Sequence, residues 1–307
     1  METMYLTHPA CRLHEMGSWH PESPQRLDAI SDQLLASGLM PYLDDRQAPQ
    51  ASRHDLLRVH TVQYLDSLRE HTPDQGYYPI DPDTLMNPHT YEAALHAAGA
   101  GVAAVDAVMG GEARTAFCAV RPPGHHACRS QAMGFCFLNN VAIAARHALD
   151  FHGLSRVAIV DFDVHHGNGT EDVFAGDDRV LMCSFFQHPF FPNSGTEHPA
   201  ANMLNVPVAA YTTGAAVKTI VTDTWLPRLE AHRPELILVS AGFDAHREDD
   251  MGQMGLVEAD YAWITEQLVD VAERHCQGRI VSTLEGGYNL SALGRSVVAH
   301  IRALAKL

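Results

Sequence analysis

Short runs that are apolar at every position alternate with longer segments of helical spacing along this 307-residue chain. The runs are residues 117–120, 157–160, 180–183, 236–239 and 280–281, and the helical pattern occupies residues 91–109, 138–152, 213–232 and 258–274. A strand without a polar face is covered on both sides, so the runs predict parallel strands sandwiched between helices. No repeat, low-complexity tract or Ser/Gly/Pro-rich linker divides the chain. The expected fold is therefore α/β, a single domain over residues 1–307 on an open, mainly parallel, doubly wound sheet with helices on both faces. In such sheets ligands bind beyond the carboxyl ends of the strands. Each run ends there in polar chemistry: Arg-Pro-Pro-Gly-His-His after 120, Asp-Phe-Asp-Val-His-His after 160, Ser-Phe-Phe-Gln-His after 183, Ser-Ala-Gly-Phe-Asp-Ala-His after 239 and Ser-Thr-Leu-Glu-Gly-Gly-Tyr after 281. Five such exits point to one shared site.

Composition narrows the classes. Apolar residues make up 46% of the chain, enough for a large core and too many for wholesale disorder. Lys plus Arg total 21 against 37 Asp plus Glu, a net charge of −16, which argues against a nucleic-acid partner and favours cationic substrates. The six cysteines form no C-x-x-C pair, which excludes zinc-finger and thioredoxin-like readings and leaves free thiols in a reducing compartment. The first residues lack a basic flank and an apolar run, and no stretch of 18 apolar residues occurs; a cytoplasmic protein without a membrane partner is expected. The sequons at Asn168 and Asn289 read as accidental. Histidine, at 20 residues, nearly equals Lys plus Arg, so its placement directs the search for chemistry.

Strand alternation sends Asp161, Asp163 and His165 to one side, and Asp244 leaves another strand. One imidazole with two carboxylates is the donor set of a catalytic zinc that keeps a position open, and Fe(II), Mn(II) or Co(II) suits similar donors. The plainer alternative is polar strand ends meeting buried counterions, but carboxylates crowded beside a histidine repel one another without a cation. His125 and His126 follow Pro-Pro-Gly and could form a general acid–base pair, with Asp161 within reach of the first and Asn168 of the second. Alone, a Gly-His-His turn is a solvated loop; facing a metal it is a catalytic element. In Glu285-Gly286-Gly287-Tyr288, the glycines free a tyrosine whose hydroxyl could stabilise an oxyanion, where a core tyrosine is the duller reading. The Ala-rich residues 97–107 read as a tightly packed helix, Arg114 and residues 248–250 as solvated surface, and the cysteines at 118, 136 and 183 as buried. The acidic run could also help dock a basic substrate.

Together these residues resemble the zinc-dependent histone-deacetylase-like family of the arginase–deacetylase fold, most closely its bacterial class II-type members. The resemblance runs from His-Pro-Glu-Ser-Pro-Gln-Arg-Leu at residues 20–27 to Leu-Glu-Gly-Gly-Tyr-Asn-Leu at residues 284–290, with the motifs in family order. It implies zinc held by Asp163, His165 and Asp244, proton handling by His125 and His126 supported by Asp161 and Asn168, and Tyr288 polarising an acyl carbonyl. It implies a potassium ion near Asp161, Asp163, His165, Ser184 and Phe185, and a second around Phe174, Asp177, Val180 and Tyr211. It further implies an acyl channel walled by Gly134, Phe135 and Phe191, with Met251 at the rim and Arg26 in an inner cavity. The implied reaction is hydrolysis of an N-acyl amine, acyl-lysine in a peptide first and acetylpolyamine or a small metabolite as alternatives. A dinuclear ureohydrolase or a non-catalytic binding protein on the same fold stands further off, and self-association stays open. The chain departs from the pattern at Asn168, where some classes place Asp, at Met251, often Leu, and at residues 191–195. It carries no long insertion of the kind that narrows the entrance of acetylpolyamine-specific relatives.

Overall fold

The sheet that the apolar runs predict is present in the computed structural model, which describes residues 3–307. The strands are β1 (Thr3–Thr7), β2 (Leu43–Gln47), β3 (Tyr78–Pro79), β4 (Leu85–Met86), β5 (Thr115–Cys118), β6 (Val157–Asp161), β7 (Val180–Gln187), β8 (Met203–Val208), β9 (Leu236–Ala241) and β10 (Ile280–Leu284). Eight of them form one parallel sheet in the order β2-β1-β5-β10-β9-β6-β7-β8, and β3 and β4 form a small antiparallel pair. The five runs seen in the sequence are the five contiguous central strands. Their apolar side chains, among them Phe117, Val157, Ile159, Leu238 and Val281, are fully buried, as two covered faces require.

The strands that the pattern did not reveal lie outside this centre. β2 reads Leu-Asp-Asp-Arg-Gln with only Leu43 buried, and β8 is the opposite edge; an edge strand need not be apolar on both faces. The last strand in the chain, β10, sits between β5 and β9 and hydrogen-bonds to both.

Helices cover both faces. Gln25–Ala36, Glu258–His275 and Leu290–Ala305 pack together on one, and Thr90–Gly110 packs against Asn140–Asp150 on the other. Thr90–Gly110 is long and apolar enough to cross a membrane by composition, but its alanines fill the interior instead. The segment expected as one helix over residues 213–232 is Gly214–Ile220, a π-helical turn Val221–Trp225 and Leu226–His232. Pro227 has no amide hydrogen for the carbonyl one turn earlier, and the widened turn accommodates that loss while burying Trp225. Both sequon asparagines have structural work: Asn289 caps Leu290–Ala305 by accepting from the Ala292 amide at 3.0 Å, and the Asn168 side chain meets His126.

Candidate active site

The carboxyl ends of β5, β10, β9 and β6 are neighbours, so four loops far apart in sequence meet at one place. From β6 and β9 come Asp163, His165 and Asp244, all buried, with one donor atom of each within 4.8 Å of the others. His165 Nδ1 lies 3.0 Å from Asp163 Oδ1 and 3.1 Å from Asp244 Oδ2. The backbone fixes the carboxylates: Asp163 accepts from the amides of His165 and Gly286, each at 2.9 Å, and Asp244 from that of Val164 at 2.9 Å. Burial and the Asp163 charge push Asp244 up to about 7, and although burial opposes a charge on His165, its bonds to the two carboxylates lift it to about 10. Two buried carboxylates converging on one imidazole could hold a divalent cation, and this donor set fits zinc.

The loop after β5 presents the tandem histidines. His125 Nδ1 is 2.9 Å from Asp161 Oδ2, and His126 Nδ1 is 2.7 Å from Asn168 Oδ1. The two rings are driven in opposite directions. Burial opposes a charge on His125, but Asp161 and Asp163 outweigh it and hold the ring well above its ordinary value. Burial, reinforced by the charges of His125 and His165, holds His126 well below. Such a split suits one ring to the charged form and the other to the neutral form. Glu285, quoted in the sequence only as part of a motif, anchors this loop: its Oε2 accepts from the amides of Gly124 at 2.7 Å and His125 at 3.1 Å, and its Oε1 from Ser240 Oγ at 3.0 Å.

A cavity of about 490 Å³ opens onto these groups. His126, His165 and Tyr288 form its inner end, Gly134, Phe135, Phe190 and Phe191 its walls, and Asp81, Asp83, Asp250 and Met251 line it as well. Gly134 and Phe135 both have left-handed backbone conformations, with φ of 56° and 69°; a Cβ on Gly134 would stand 2.5 Å from the His126 ring, so only glycine fits beside it. Burial holds the Tyr288 phenol well above its ordinary value, so it stays protonated and can donate.

Arg26, expected in an inner cavity, is not among the residues that line this one. It is fully buried, donates to the carbonyls of Gly287 at 2.6 Å and Glu285 at 2.5 Å, and lies 4.9 Å from the centre of the Tyr288 ring. Glu22 holds it by an ion pair at 2.9 Å and also takes a bidentate contact from Arg121 at 2.5 and 2.6 Å. The acidic run at 248–250 also divides. Asp249 is buried and accepts from the amides of Tyr288 at 2.6 Å and Asn289 at 2.9 Å, Glu248 pairs with Arg295, and Asp250 reaches the cavity. Thus Asp249 positions the tyrosine, a role that its place in a surface-like acidic run concealed.

Of the two expected potassium groups, Asp161, Asp163, His165, Ser184 and Phe185 are buried together on β6, β7 and the loop after β6, where Asp161 and Ser184 are register partners. The other group does not assemble as expected. The carbonyl oxygens of Phe174, Asp177 and Val180 converge, but on the amide nitrogen of Asn202, at 2.8, 3.1 and 2.9 Å. Asn202 is held there because its Oδ1 accepts from the Gly176 amide at 2.9 Å. Tyr211 lies beyond the carboxyl end of β8, the opposite end from Asn202, with its side chain turned outward at 77% exposure.

The chain is similar to known proteins over nearly its whole length. The family profile described as histone deacetylase domain matches residues 20–304. A histone deacetylase-like amidohydrolase of Pseudomonas aeruginosa is 41% identical over 277 residues, covering 88% of this chain and 73% of the relative. A probable deacetylase of Archaeoglobus fulgidus is 35% identical over 316 residues, covering 99% of this chain and 87% of the relative. The crystal structure of the HDA15 HD domain superposes with a TM-score of 0.93 at 33% identity, covering 99% of this chain and 90% of that one.

Proposed function

The chain belongs to the histone deacetylase family and is an amide-bond hydrolase, and from that premise we propose that it is a zinc-dependent deacylase of acylated amines, with acetyl-lysine in peptides the leading substrate. The observation that carries this reading is the meeting of His126, His165 and Tyr288 at the inner end of one aromatic-walled cavity. Asp163, His165 and Asp244 would hold zinc, or another divalent ion such as Fe(II), and the bound ion supplies Lewis acidity to an acyl carbonyl and to a water.

The chain's own groups account for the protons. His126 donates its Nδ1 hydrogen to Asn168 Oδ1, which leaves the lone pair on Nε2 to take a proton from the attacking water. His125, bonded to Asp161, stays cationic beside it and favours the negative charge developing on the acyl oxygen. Tyr288 donates its hydroxyl hydrogen to that oxygen. His126 then gives its proton to the departing amine, so water and amide become acid and amine. Asp161, Asp163, His165, Ser184 and Phe185 would hold a potassium ion, which offsets the repulsion among the buried carboxylates. A second potassium is not proposed, because the Asn202 amide lies among three of the expected oxygens.

The acidic residues Asp81, Asp83 and Asp250 favour substrates with positive charge beyond the acyl group, which suits peptides with basic neighbours and also acetylpolyamines. Six free thiols, five of them buried, suit a reducing compartment such as the cytoplasm. The test is kinetics of zinc-loaded protein on acetyl-, trifluoroacetyl- and longer-acyl lysine peptides beside acetylpolyamines, with Tyr288→Phe in parallel. That variant is expected to fold normally and lose about 10²–10³ in kcat. Wild-type turnover in Tyr288→Phe would remove the tyrosine from the mechanism, and a zinc-loaded wild type inert on every substrate would remove the reading.

A further inference from the structure

Away from the catalytic loops, Asp106, His147 and His152 bring three donors together. Asp106 Oδ1 is 2.7 Å from His147 Nε2 and 2.7 Å from His152 Nε2, and one donor atom of each residue lies within 4.8 Å of the others. Asp106 stands near the end of Thr90–Gly110, His147 near the end of Asn140–Asp150, and His152 just beyond it. These helices lead into the amino ends of β5 and β6, so the cluster lies at the opposite edge of the sheet from the catalytic loops.

A second observation points to an ion. His147 is buried, and its Nδ1 has no hydrogen-bond partner. That nitrogen faces Asp55 Oδ1 at 3.6 Å. Asp55 is fixed in a capping box, its other oxygen accepting from the Ser52 amide at 3.1 Å. With each Nε2 donating to Asp106, His147 Nδ1 presents a buried lone pair opposite a carboxylate, an arrangement that costs free energy. Binding an ion at Nε2 reverses this. The ring proton moves to Nδ1, where it points at Asp55, and the carboxylate orients and strengthens the ligand, as outer carboxylates do for metal-bound histidines. No net proton is gained or lost in that shift.

We propose that Asp106, His147 and His152 form a second metal site for a borderline divalent ion, zinc first, with Asp55 orienting His147. Two imidazoles and one carboxylate select zinc and its transition-metal neighbours over magnesium or calcium. Tetrahedral bonds of about 2.0–2.1 Å set neighbouring donors roughly 3.3 Å apart, so the two 2.7 Å separations need only open slightly. The half-exposed Asp106 and the partly exposed His152 leave the ion a route from solvent and a position for water. Such an ion ties the two helices together and, through Asp55, the turn Arg53–Leu56; its work is structural, and it does not depend on the deacylase assignment.

The test is zinc titration of the full-length, chelator-stripped protein, read by competition with a chromophoric chelator and by thermal melting. Wild type is expected to bind two equivalents, His152→Ala and Asp106→Asn one each, and Asp163→Ala to keep the equivalent that the other two lose. Asp55→Asn is expected to weaken that equivalent by about 10–100-fold. Circular dichroism checks folding, and agreement between the two exposed-side variants keeps the result independent of either one. The proposal is overturned if His152→Ala and Asp106→Asn bind zinc as wild type does, or if wild type binds a single equivalent that Asp163→Ala abolishes. It is also overturned if only acid, and not zinc, changes the melting of wild type relative to His152→Ala, which would make the cluster a protonated ion pair.

Discussion

Alanine at Gly286 directs a methyl group into the carboxylates at the inner end of the cavity. Its Cβ would lie 2.1 Å from Asp244 Oδ2 and 2.6 Å from Asp163 Oδ2, where side chains essentially never approach within 3.0 Å. The Asp244 oxygen would have to retreat by about 0.9 Å, several times the roughly 0.2 Å within which metal–ligand distances are held. Neither carboxylate can swing aside freely, since the amides of His165 and Gly286 hold one and that of Val164 the other. Loss of an outer-shell partner alone costs about 10–100-fold in metal affinity, so displacing a ligand should reach or exceed about 100-fold. The strain of overpacking, about 1–3 kcal/mol, is a minor share of a typical folding stability of about 5–15 kcal/mol, and the variant should still fold. Zinc affinity by chelator competition and turnover at saturating zinc are the two readouts. Gly110→Ala, where a Cβ meets nothing within 4 Å, is the control. A folded Gly286→Ala with wild-type zinc affinity would refute the argument that these carboxylates are pinned metal ligands.

Three further outcomes follow from neighbouring parts of the structure. Asn168→Asp replaces the amide 2.7 Å from His126 Nδ1 by a carboxylate, which favours the charged ring; the acid limb of the kcat/KM profile should move to higher pH, and an unmoved limb would detach Asn168 from the base. Glu22→Gln leaves Arg121 and Arg26 buried without their counter-charge and should cost about 3–5 kcal/mol in denaturant unfolding, a loss below about 1 kcal/mol counting against the brace. Burial lowers His60 to about 4 and His300 to about 3, so the unfolded chain takes up these protons first. Their contribution is intact above pH ~6.5 and is lost as pH falls toward the folded values, at up to about 1.4 kcal/mol per pH unit for each. Melting curves of His300→Gln should therefore decline less steeply with acid than those of wild type, and equal slopes would contradict the assignment.

How much of this was legible in the sequence depended on where the partner of each residue lay. The five central strands were visible because two buried faces leave no room for polar positions, whereas β2 and β8, each at an edge, carry no such constraint. Residues 161–170 displayed Asp163 and His165 close together in sequence and Asp244 followed from a second strand exit, although β6 ends at Asp161, so the loop beyond it and not strand alternation brings the pair together. Glu285, by contrast, acts on amides 160 and 161 positions away, and Asp249 on those of Tyr288 and Asn289, 39 and 40 positions away; neither distance leaves a local pattern. Arg26, which the resemblance placed in an inner cavity, spends two of its donors on the backbone carbonyls of Gly287 and Glu285, more than 250 positions away. The expected set Phe174, Asp177, Val180 and Tyr211 could not foresee that Asn202, just before β8, places its amide among the carbonyls of the first three.

The placement of β10 between β5 and β9 bears on how this protein is made. During translation, β2-β1-β5 and β9-β6-β7-β8 can each pair before residue 280 leaves the ribosome, yet no hydrogen bond joins them. Two half-sheets then present open edges at what will be the middle of the fold, the kind of edge on which chains aggregate. In the finished sheet this strand joins the two halves, and Tyr288 follows it on the same stretch of chain. Nascent chains truncated before residue 280 should thus be both inert and dependent on chaperones, and the closing strand brings Tyr288 to the cavity as it seals the sheet.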